Sequence, residues 1–244
     1  SLSMLRGVRD YNPIASVICQ LTNESEGETT TLHGIGYGPY IITNQHLFKR
    51  NNGNLKIISQ HGTFRVHNTC NLPLLPIKGQ DVLIMRLPKD FPPFPQRIKF
   101  RTPEKGERVC IVMSNFQTKS ISSMVSETSH IYPVPNSSFW KHWISTKNGH
   151  CGSPIVATRD GAILGIHSIA NTDNTGNYFT CFGEKFSEKF DELVANGDWT
   201  KGWKFNANTI AWGSLYLKDS VPEETFKITK LIQDLVGGSE VCLQ

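Results

Sequence analysis

An all-β fold built as two modules is what this 244-residue sequence predicts. Three observations lead there. Short apolar or alternating runs recur between Gly, Asn and Asp punctuation, helical periodicity is confined to two places, and no long linker divides the chain. Barrels and sandwiches both read this way. The length suits one domain or two small ones packed together, since domains usually run to about 100–200 residues.

In chain order, GIGYGPYIITNQHLF (34–48) passes from glycine-punctuated turns through an apolar strand to His46. GTFRVHN (62–68) alternates, while DVLIMRLP (81–88) and ERVCIVM (107–113) are richly apolar. The prolines of KDFPPFPQ (89–96) and SHIYPVPNSS (129–138) mark connecting loops. SPIVAT and AILGIHSI, split by RDG (159–161), form a hairpin. Phe186, Phe190, Leu193 and Val194 fall at helical spacing before Asn196-Gly197, predicting a helix with a C-cap. Ile228, Leu231, Ile232 and Leu235 repeat the pattern before Gly237-Gly238. The division drawn is 1–120 with His46 and Asp81, 121–218 with Cys151 and a specificity pocket, and a partly helical tail, 219–244.

Composition narrows the chemistry. With 25 basic and 21 acidic residues the net charge is +4, compatible with weak RNA contact through Lys49, Arg50, Lys56, Lys99, Arg101, Lys105 and Arg108 without arguing for it. Trp140, Trp143 and Trp212 are read as packing residues. Six scattered cysteines with no C-x-x-C pair point to reduced thiols, with no zinc site, disulfide framework or cofactor. No stretch is apolar and long enough to span a bilayer or serve as a signal h-region, so a soluble protein made inside cells is expected, with no membrane segment.

KNGHCGSPIV (147–156) sets Cys151 between glycines. Such glycines permit positive φ and bring backbone amides close to a substrate, and a thiol beside a base is readily ionised, so Cys151 is the candidate nucleophile. A packed small hydrophobe is the competing reading. His46 stands where a strand leaves the core, and Asp81 opens an apolar run; alone, each has an ordinary structural reading. Together the order His46, Asp81, Cys151, at separations of 35 and 70 residues, matches chymotrypsin-type β-barrel proteases. An inactive protease-like scaffold would gain nothing from keeping all three.

RDYNPI, TNQHLFKRNNG, LPKDFPPFPQ, NFQTKSISSMVSETS, FWKHWISTKNGHCGSPIV and LGIHS resemble the potyviral nuclear inclusion a proteases, the tobacco etch virus protease family, over about 6–212. The resemblance implies two six-stranded antiparallel β-barrels of chymotrypsin-like fold, with a few short helices and a C-terminal tail. It also implies a cysteine endopeptidase that cuts a viral polyprotein after Gln and before a small residue. The matching positions give His46 as base, Asp81 as its orienting carboxylate, Cys151 as nucleophile, and the Gly149 and Cys151 amides as oxyanion hole, which explains a small residue at 149. His150 is a rival base by proximity, with its side chain expected to point away from the thiol. Thr146, Asn148 and His167 match the pocket for a glutamine side chain; Asn148 departs from the aspartate of the family's tobacco etch virus member. A substrate strand is expected along HSIA, with Ser168 and Ala170, and near AWGSLYL (211–217) on the other side. Asn171, Asn174 and Tyr178 resemble contacts to an outlying acidic substrate residue. The final EVCLQ and the initial Ser1 read as self-cleavage sites, making the chain's own termini substrates and giving the tail a means of revisiting the cleft. The expected location is host cytoplasm and nucleus, the nucleus implied by the family name alone.

Overall fold

The computed structural model describes residues 8–25, 27–48, 53–116, 122–135, 137–171, 176–203 and 241–243. The expected helix at 228–235, the AWGSLYL segment, Asn174, Lys49, Arg50, Trp212, Ser1 and Gln244 lie outside them.

Among the described residues, seven strands make the first sheet: β1 Ile18–Ser25, β2 Glu28–Tyr37, β3 Tyr40–Thr43, β4 Asn54–Ser59, β5 Gly62–Val66, β6 Leu74–Pro76 and β7 Leu83–Arg86, in the order β5-β4-β1-β2-β3-β7-β6. The second has nine: β8 Arg108–Asn115, β9 Ser122–Val125, β10 Ser129–His130, β11 Tyr132–Pro133, β12 Phe139–His142, β13 Pro154–Ala157, β14 Ile163–Asn171, β15 Asn177–Cys181 and β16 Val241–Leu243. Every pairing within a sheet is antiparallel. The sheets exceed six strands because very short segments join their edges. Two of these, β10 and β11, lie in the proline stretch that reads as plain loop; Pro133 is accommodated on an edge, where its missing N–H costs no ladder bond.

The apolar runs have a two-sided explanation. On β8, Cys110 and Val112 join one core while Val109 and Ile111 join another, and on β13 Val156 and Ile155 divide the same way. Strands buried on both faces lose polar alternation. The larger core takes residues from both sheets, including Ile35, Ile42 and Leu83 from the first and Val112, Cys151 and Ile166 from the second. Gly34 and Gly36 lie within β2 and not in turns. At Gly36 a Cβ would sit 2.3 Å from the Phe94 ring, so that glycine makes room for the proline-rich loop to dock.

The helix expected around Phe186–Val194 is broken into α2, Glu184–Ser187, and α3, Phe190–Asn196, preceded in the chain by α1, Asn12–Ala15. The break sits at Lys189, and the apolar stripe survives it because Phe186 and Phe190 pack on each other and on Phe100. Gly197 is no left-handed cap, since its φ is −72°. It is small because a Cβ would meet Leu193 O at 2.6 Å and Leu75 Cδ2 at 2.7 Å. Trp143, expected to pack, is 48% exposed, with Tyr132 against its edge and Lys141 Nζ over its ring.

Arg101 is tied to Glu107 at 2.6 Å and to Asp160 at 2.9 Å, joining the start of β8 to the β13–β14 turn. Burial pulls Glu107 up, but the Arg101 hydrogen bond, the Glu104 amide and the nearby arginine charges together hold it below its ordinary 4.5. The same guanidinium holds Asp160 below 3.8. Both carboxyls are depressed on folding, so their contribution is full above the ordinary values and is lost as pH falls through the folded ones. Replacing Arg101 by Met is expected to cost about 1–3 kcal/mol in urea melts at pH 7 and much less at pH 3. An equal loss at both pH values would refute the assignment.

Candidate active site

His46 lies on a 3₁₀ turn, Gln45–Phe48, at the end of β3. Its Nδ1–H donates to Asp81 Oδ2 at 2.8 Å, its backbone N–H reaches Asp81 Oδ1 at 3.3 Å, and both residues are buried. Gln45 fixes the loop carrying Asp81: its Nε2 donates to Ile77 O at 2.9 Å and Val82 O at 3.1 Å. Asp81 thus accepts a hydrogen bond from Nδ1–H, which puts the lone pair of a neutral ring on Nε2.

Asn44, just before this turn, spans the two sheets. The two hydrogens of its amide face three acceptors: Asp81 Oδ2 at 3.1 Å, His167 O at 3.2 Å and Ser168 Oγ at 3.3 Å. From the other side, Cys151 Sγ reaches Ser168 O at 2.9 Å. The β14–β15 register shifts between His167 and Ile169, which makes Ser168 the bulged residue and accounts for its redirected carbonyl. The Asp81–His46 pair and the thiol therefore converge on one residue of β14. Ser168 is itself buried, and its hydroxyl pairs with Thr180 Oγ1 at 2.7 Å.

The nucleophile turn has the geometry its glycines require, with φ +95° at Gly149 and +81° at Gly152. At Gly149 a Cβ would meet only Thr31 O at 3.9 Å within the chain itself, so within the fold the demand is the positive φ. His150 is turned onto its own loop, where Nδ1 accepts from the Lys147 amide at 3.1 Å. Burial, then the Lys147 charge, lowers its pKa. None of Cys19, Cys70, Cys110, Cys151 and Cys181 is in a disulfide. Burial pushes Cys19 and Cys110 up and Cys181 up to about 11, so these three are inert thiols at neutral pH.

Behind Cys151 a chain of histidines fixes proton positions. The Ile144 amide donates to His142 Nδ1 at 3.1 Å, so neutral His142 carries its hydrogen on Nε2, and this donates to His167 Nδ1 at 3.1 Å. His142 stays neutral, held well below 6.5 by burial and then by His167. His167, with Nδ1 accepting, carries its own hydrogen on Nε2. Asn177 Nδ2 donates to Ile144 O, anchoring the start of this relay. Thr146 is buried two residues beyond Ile144, and Asn148 is exposed at the turn. Ala170 and Tyr178 are buried on β14 and β15, with Lys141 Nζ 5.9 Å from the Tyr178 ring. Asn171 ends β14.

On its other edge β14 pairs with β16: Ile169 with Leu243, Ala170 with Cys242 and Asn171 with Val241. An extended segment of the chain thus lies along the strand that carries His167 and Ser168. Asn44, Gln45, His142 and His33, whose ring reaches Gly149 O, went unassigned at the sequence level. Their roles depend on cross-sheet contacts that leave no periodic signal.

Two antiparallel β-sheets sharing a core, with a buried His–Asp pair and a glycine-flanked thiol both linked to Ser168, the pair through Asn44, define a cysteine peptidase of chymotrypsin-like fold. The serine endoprotease from Yersinia pestis shares the fold alone, at 19% identity and TM-score 0.54 over 78% of this chain and 68% of that one. The chain belongs to peptidase family C4, whose model matches residues 1–233. It is 59% identical over 235 residues, 96% of its length, to the genome polyprotein of Turnip mosaic virus (strain Japanese), of which it spans 7%. It is 57% identical, with TM-score 0.81 over 87% of this chain and 92% of that one, to catalytically active tobacco etch virus protease complexed with product.

Proposed function

We propose that the chain cleaves a viral polyprotein after glutamine and before a small residue, through a Cys151–His46–Asp81 triad. The observation that carries this reading is β16 seated along β14, because main-chain pairing there is how a substrate strand would be held beside the thiol. His46 takes the Cys151 proton, sulfur bonds to the scissile carbonyl carbon, and the Gly149 and Cys151 amides receive the oxyanion. His46 then protonates the leaving amine, giving a thioester that water hydrolyses with His46 again as base. In the pocket, His167 Nε2–H and the Thr146 hydroxyl donate to the glutamine carbonyl oxygen, and Asn148 offers an acceptor for its NH₂. We further propose that it acts in host cytoplasm and nucleus, the nucleus on family resemblance alone.

The test is a peptide of EVCLQ followed by serine, with Glu and Asn counterparts, incubated with and without a thiol alkylator and read by mass spectrometry. Cleavage is expected after Gln only and to vanish on alkylation; persistence after Cys151 is alkylated overturns the mechanism, and equal cleavage of all three overturns the specificity. His142→Phe keeps the ring volume and removes the proton that fixes His167. It is expected to lower the preference for Gln over Glu by about 10- to 100-fold, with the rate of Cys151 alkylation unchanged.

A further inference from the structure

His33 is buried, titratable and outside the triad and the glutamine pocket. It lies on β2, in the first sheet, yet its backbone N–H and its ring both bond to the nucleophile turn. Its backbone N–H donates to Cys151 O at 2.8 Å, its carbonyl accepts from Thr43 Oγ1 at 2.9 Å, and its ring Nδ1 lies 2.7 Å from Gly149 O. A carbonyl oxygen only accepts, so Nδ1 carries the hydrogen. The Gly149–His150 peptide is thereby held at both ends, since the His150 N–H donates to Lys147 O at 3.1 Å. That peptide lies between the two amides assigned to the oxyanion. Its rotation would turn Gly149 ψ and His150 φ and so redirect the N–H groups on either side. Phe116, with its ring centroid 6.1 Å from that of His33 and the planes 29° apart, fixes the direction of the ring. Burial, with His150 acting the same way and the Gly149 bond opposing, brings His33 down to about 4, so the ring is neutral at working pH.

We infer that His33 is a positioning residue that sets the oxyanion hole from across the sheet boundary, by clamping the Gly149 carbonyl with Nδ1–H. Preorganised donors aimed at the developing charge act only in the transition state, so the clamp bears on kcat and not on peptide affinity. The inference rests on the assignment of the Gly149 and Cys151 amides as the oxyanion donors.

His33→Phe retains the ring and loses the donor, while in His33→Asn the amide Nδ2 can stand in for Nδ1. The expected result for His33→Phe is a fall in kcat of about 10- to 100-fold with KM within about twofold, and a matching loss of affinity for a peptide aldehyde. Product-peptide affinity and the rate of thiol alkylation should stay at wild-type values, and His33→Asn should recover most of kcat. Unchanged kcat in His33→Phe, or parallel loss of kcat and alkylation rate, overturns the clamp. ¹⁵N spectra of labelled histidine in the wild-type chain test it without a variant: an Nε2–H tautomer at His33 also overturns it. The oxyanion assignment fails separately, if the aldehyde binds the wild type no more tightly than the product peptide does.

Discussion

Asp81→Asn is expected to lower kcat on a glutamine peptide by about 10³- to 10⁴-fold with little change in KM. Asp81 accepts from the His46 ring at 2.8 Å, from the His46 amide at 3.3 Å and from Asn44 Nδ2 at 3.1 Å. Asparagine offers one acceptor oxygen and an NH₂ in place of the second. If the NH₂ faces His46 Nδ1, the imidazole moves its hydrogen to Nε2 and no longer accepts from the thiol. If it takes the place of Oδ1, it opposes the His46 backbone N–H in a buried site. The lower end of the range reflects a thiol more acidic than a serine hydroxyl. Steady-state kinetics decide the matter: a loss confined to KM would mean that Asp81 holds substrate and does not orient the base.

The second large effect is structural. In Gly152→Ala a Cβ would stand 1.8 Å from the His33 carbonyl oxygen and 2.6 Å from its carbon, at a residue with φ +81°. No side-chain rotation relieves a clash with backbone. Relief requires moving β2 away from the turn and breaking the His33 N–H bond to Cys151 O. The combined cost, about 4 kcal/mol or more, is a large share of a stability of about 5–15 kcal/mol, so little folded protein is expected. Gly149→Ala, with no atom nearer than 3.9 Å to its Cβ, should fold and lose only about 1–2 kcal/mol. Thermal melts of the pair would show this asymmetry, and a Gly152→Ala protein melting with the wild type would disprove it.

The meeting of His46 with Asp81, 35 residues apart, was legible because order and spacing in a chain of short strands constrain where side chains converge. The strands were legible where alternation or apolar density marked them, as at β5, β7 and β8. The Lys189 break was hidden because the Phe186 and Phe190 stripe satisfies helical spacing whether or not the helix is continuous. Asn44, His33 and His142 carried no signal for a different reason. Each acts through atoms 25 to 124 positions away, at distances only the folded sheets establish. His167 stands out in its motif, but the tautomer it presents depends on the Ile144 amide, which no side-chain identity encodes.

The apolar interior that draws on both sheets also bears on timing. As the chain leaves the ribosome N-terminus first, the half with His46 and Asp81 emerges long before Cys151, and that half lacks the residues that complete its own packing. Competence to cut therefore arrives in a single late step, when the second half docks and the thiol is delivered together with its supporting shell. An unfinished chain is a harmless one.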